Sequence, residues 1–71
     1  MQANQVSQAY VLGITEGRAS LKYVTANGID RDSYLASAIS NLKALLAQGY
    51  SGEARESLRG QFDFARNQLR A

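Results

Sequence analysis

The sequence predicts an all-α protein, a small three-helix bundle or a helical hairpin carrying a third helix, assembled as a homodimer. Three observations point there. Apolar residues recur at steps of three and four along most of the chain, the repeat of one helix face. Proline is absent, so no segment is broken by it. Punctuation is confined to Asn27-Gly28-Ile29-Asp30 and Gln48-Gly49-Tyr50-Ser51-Gly52. These leave three segments of helical length, about 5–26, 31–48 and 52–69, in a single domain of 71 residues.

In the first segment Val6, Tyr10, Gly13, Ile14, Gly17, Leu21 and Val24 share one face of a 3.6-residue helix. Ala9, Gly13 and Gly17 add a stripe of small residues spaced by four. A glycine inside a helix costs about 1 kcal/mol relative to alanine. The expected compensation is close approach of another backbone, so the stripe is the candidate oligomer seam. Leu12 and Tyr23 fall on a second face, which suggests contact with another neighbour. A break of this helix near Gly13–Gly17 is the rival expectation.

The second segment has the clearest boundaries. Asp30 suits an N-cap, since its carboxylate can accept from the free N–H groups of the first turn and favours the positive helix end. Ile29 and Tyr34 have the spacing of a hydrophobic staple. Leu35, Ala38, Ile39, Leu42, Leu45 and Leu46 make one apolar face, and Gly49 can supply the left-handed residue that ends a helix.

Ser51 is the candidate cap of the third segment. Glu53 and Glu56 near its start and Arg66 and Arg70 near its end match the helix dipole. Leu58, Phe62, Ala65 and Leu69 are expected to face the core. Phe64 then points away from it, exposed.

Composition narrows the function. Histidine and cysteine are absent, which removes disulfides, Cys/His metal sites, thiol nucleophiles and histidine acid–base schemes. Eleven of the apolar residues are alanine, so the supply of large core side chains is small, and a chain this short gains from self-association. No apolar run is long enough to span a membrane, and the first eight residues lack the basic and apolar regions of a signal peptide. A cytoplasmic location is expected. The net charge of +2 is a weak electrostatic footprint for nucleic acid. No cofactor and no metal are expected. Asp30 and Asp32 could bind a divalent cation weakly, but the twelve-residue calcium loop is missing and helix capping explains them better. Glu53 and Glu56 have no surroundings that would raise a carboxyl pKa for catalysis, so the chain does not read as an enzyme.

The strongest candidate site is on the third segment. Arg55, Arg59, Arg66 and Arg70 stand at i, i+4, i+11 and i+15, within about 60° of arc. Guanidinium forks suit carboxylates and phosphates alike. The competing reading is a solvated face on which Glu56 and Asp63 pair with Arg59 and Arg66. Tyr23 and Tyr50, hard to bury in a monomer, join Phe64 as candidate contact residues. The stretch from Tyr23 to Ile29, followed by a capped helix, also has the form of a helix-turn-helix turn. In that case the second helix would read DNA with Arg31 as its one early basic residue.

The resulting expectation is a small non-catalytic module that binds a partner protein and modulates or inhibits it. Arg55, Arg59, Phe64, Arg66, Arg70, Tyr23 and Tyr50 would be its contact residues. Accessory factors of phages and mobile elements include small cofactor-free helical proteins of this kind. A dimeric DNA-binding regulator and a structural assembly subunit are the alternatives.

Overall fold

The computed structural model describes the backbone of residues 2–71 and the side chains of residues 8–71, so the side chain of Val6 lies outside the described residues. Three helices follow one another: α1 (Gln2–Ala26), α2 (Arg31–Leu46) and α3 (Gly52–Arg70). The chain is all-α over the described residues. A helix of 25 residues is about 37 Å long. The longest dimension is 41 Å, so α1 sets the length of the molecule.

Both turns rest on glycines in the left-handed region. Gly28 has φ +81°. Its N–H donates to the Thr25 carbonyl at 3.1 Å, and the Ile29 N–H donates to the Val24 carbonyl at 3.0 Å. That pair of bonds is the Schellman arrangement, which satisfies the last carbonyls of α1. Gly49, at φ +91°, follows the end of α2 and donates its N–H to the Leu46 carbonyl at 3.4 Å. The α2 cap forms as expected: the Ser33 N–H donates to Asp30 Oδ2 at 2.9 Å. That bond, with the Ser33 hydroxyl, holds the Asp30 carboxyl below the ordinary aspartate value. Ser51 occupies the cap position of α3 but makes no side-chain cap bond.

α3 is the central element. It packs along α1 and against α2, whereas α1 and α2 touch each other least. α1 runs unbroken through both glycines, because those glycines are where α3 crosses it. A Cβ on Gly13 would collide with the Ser57 carbonyl oxygen, and a Cβ on Gly60 would collide with the carbonyl oxygen of Tyr10. The two backbones therefore approach each other through reciprocal glycines, and no larger residue fits on either side. The Ala9–Gly13–Gly17 stripe is thus a seam within the chain. This corrects the assignment of Ala9, Gly13 and Gly17 to an oligomer contact: α3 already covers Gly13 and Gly17, and Ala9 is buried within the chain.

Phe64 is corrected in the same way. It is 8% exposed, because α3 turns its Gly60–Phe64 line inward and the ring lies against Gly17. The Arg18 guanidinium covers the ring at 5.8 Å from its centroid. Leu35, Leu42 and Ala65 are buried with it, and Leu35 is the large side chain sealed most completely, at 1% exposure. Leu69, expected in the core, is 39% exposed at the end of α3.

Candidate interaction surface

Because α3 is a straight helix between two neighbours, the side opposite Phe64 faces solvent. At about 100° per residue the arginine line is centred about 150° from Phe64. All four of its members, Arg55, Arg59, Arg66 and Arg70, are exposed. Their charge is permanent at any physiological pH.

The pairing expected of a merely solvated face does not form. Asp63, placed between Arg59 and Arg66, accepts from the Tyr10 hydroxyl at 2.6 Å and ties α3 to α1. That bond, with burial and the nearby carboxylate charge, raises the Tyr10 phenol above its usual value of 10.0. Glu56 pairs with its neighbour Arg55 at 3.0 Å. Among the described residues, Arg59, Arg66 and Arg70 form no ion pair. Arg66 instead stacks over Phe62, 5.6 Å from the ring centroid. Its long side chain is thereby held on an aromatic face that is itself only half-buried. Leu58, Phe62 and Leu69 lie on the line next to the arginines, half-buried, half-buried and exposed in turn. The outward surface of α3 is therefore a cationic strip with an apolar border. The sequence pattern pointed to the strip but placed its border in the core.

The other candidates are dispersed. Tyr23 is 70% exposed but sits on the outer side of α1, together with Leu12 and Val11. Tyr50, at 43%, stands in the turn just before α3. Arg31 is spoken for. Its guanidinium donates to the Gln68 carbonyl at 2.6 Å and to Asp32 Oδ1 at 2.9 Å. It thus ties the start of α2 to the last carbonyls of α3, where a cation also meets the negative helix end. The helix-turn-helix reading loses the one basic residue it had near the start of its recognition helix.

Where α1 and α2 splay apart over α3 they leave a cleft of about 120 Å³, lined by residues that include Gly17, Ser20, Tyr34 and Phe64. Pockets that enclose drug-sized ligands run to about 300 Å³ and more. Among the described residues no cluster of three acidic side chains could hold a metal ion, and no helix is long and apolar enough to cross a membrane. No family model matches the chain, and no curated protein or solved structure matches it either.

Proposed function

We propose that the protein is a small non-catalytic interaction module of the cytoplasm that docks on a partner protein through the outward face of α3 and modulates or inhibits it. One observation carries this reading: among the described residues, three exposed arginines on a single helix face have no carboxylate partner of their own. Unpaired guanidiniums beside a half-buried aromatic are the type of group enriched at protein interfaces. Arg55, Arg59, Arg66 and Arg70 are the proposed contacts, with Tyr50 at the near end. If the chain also pairs with a second copy, the outward Leu12 and Tyr23 of α1 are the residues free to do so, since the small-residue stripe is occupied.

The test is charge reversal. A chain carrying Arg59→Glu and Arg66→Glu keeps its circular dichroism and loses only a few degrees of thermal midpoint, the scale of the exposed Arg66–Phe62 contact. The wild-type chain recovers a stoichiometric protein from nuclease-treated lysate, and the variant does not. Recovery of the same protein by the variant would remove the α3 face from the mechanism. Tight binding to duplex DNA, steeply weakened by salt and lost in the same variant, would shift the assignment to nucleic acid.

A further inference from the structure

Resting on the reading that α3 docks a protein, we infer that the surface it fits is an acidic amphipathic helix whose carboxylates repeat the arginine spacing. The strip consists of two i, i+4 pairs, Arg55/Arg59 and Arg66/Arg70, repeated after eleven residues. Eleven residues are just over three full turns, so the second pair lies nearly above the first. The strip is about 22 Å long, with a gap of about 10 Å between Arg59 and Arg66. A helix laid alongside presents carboxylates at the same two pairs of levels. The set of spacings is unchanged when reversed, so either direction of the partner helix satisfies it.

Three features of the surface select this partner over other anions. First, the gap is flanked by Phe62, with Arg66 stacked on it, on one side and by Asp63, held by Tyr10, on the other. Duplex DNA carries a charge about every 1.7 Å of its axis and has no matching interruption. Second, Glu56 and Asp63 run along the α1 side of the strip, each already engaged. A broad polyanion meets those carboxylates, whereas a narrow line of charge meets only arginine. Third, Leu69 is exposed on the opposite border, next to Phe62. A leucine or valine on the partner helix, one position around from its carboxylates, covers that apolar line. A second copy of this chain is a poor occupant, because two α3 faces would bring like charges together.

The probes are two labelled helical peptides of identical composition and one mixed-sequence DNA duplex, each titrated into the 71-residue chain. In the matched peptide four glutamates stand at i, i+4, i+11 and i+15 beside a leucine line. In the other peptide the same glutamates are spread around the helix. The matched peptide is expected to bind about tenfold more tightly than the spread one, the scale of several exposed ion pairs acting together. Its affinity is expected to fall severalfold as salt is raised past the range where the Debye length is about 10 Å. Arg59→Glu with Arg66→Glu abolishes that preference, and a peptide with lysines at the facing positions restores binding to the variant. Equal affinity for the two peptides, lost on charge reversal, would overturn the register while leaving the docking face in place. Tighter binding of the duplex than of either peptide would overturn the partner class. Peptide binding that ignores charge reversal would overturn the face and the register together.

Discussion

Gly13 and Gly60 show how a residue with no side chain can determine a packing geometry. Each one's missing Cβ is where the other helix's carbonyl oxygen lies. Alanine at either position gains about 1 kcal/mol of helix propensity. It must also push two backbones apart, and a backbone cannot swing aside as a side chain can. Gly13→Ala and Gly60→Ala are each expected to lower stability by about 2 kcal/mol or more net of that gain, the scale of overpacking a filled interior. Their double variant should cost less than the sum, since helices separated once have already lost the contact. Gly17→Ala is the control. Its Cβ would meet only the Phe64 ring, with Cδ2 at 3.0 Å, and a ring can shift by a few tenths of an ångström. That variant is expected within about 1 kcal/mol of wild type, propensity offsetting the shift. Urea unfolding of the four chains checks the order.

Each helix was legible to a different depth. α2 was the most legible, starting at Arg31 as expected and ending at Leu46 rather than 48, because its signals are local: an aspartate that bonds the Ser33 N–H and a glycine with positive φ. α1 was legible as a face, but what covers that face was not. A stripe of small residues has the same form whether the covering backbone belongs to the same chain or to another. In α3 the arginine line is exposed, and of the expected core line Ala65 is buried, Leu58 and Phe62 are half-buried and Leu69 is exposed. Its most apolar face, Leu58–Phe62–Ala65–Leu69, is only one of its two contact faces. The other, Ser57–Gly60–Gln61–Phe64, is defined by smallness rather than hydropathy. The signal that could have found it is Gly60 standing four residues before Phe64, opposite a helix with two glycines of the same spacing. At this scale the α2 cap also predicts a pH effect. The Asp30 carboxyl is held below its usual value by bonds that exist only in the folded chain. Its stabilisation is therefore complete above the ordinary aspartate range and is lost as pH falls through the lowered folded value. Asp30→Ala is expected to lower the melting midpoint at neutral pH. The gap to wild type should stay constant down to about pH 4 and close below it. Melting curves taken between neutral and strongly acidic pH measure that gap.

Taken whole, the molecule separates the residues that fold it from those proposed to recognise a partner, and both sets are on α3. The line through Gly60 and Phe64 faces α1, Ala65 and the half-buried Leu58 and Phe62 occupy the flank, and the arginines face water. The bonds that join distant parts of the chain converge on the same helix: Tyr10 to Asp63, Arg31 to Gln68, and Gln61 to Glu16. α1 and α2 share little surface of their own. A fragment of residues 1–51 is accordingly expected to lose most of its helical circular dichroism and any cooperative melting, since most helical stability in a protein comes from tertiary packing of an amphipathic face. A fragment that melts cooperatively would show that α1 and α2 form a unit without α3. The central position of α3 also bears on the chain's birth on the ribosome. Synthesis proceeds from the N-terminus, so both outer helices are made before the surface they pack on. α1 and α2 therefore pack only once α3 has been made, and until then their apolar faces lack the helix that covers them.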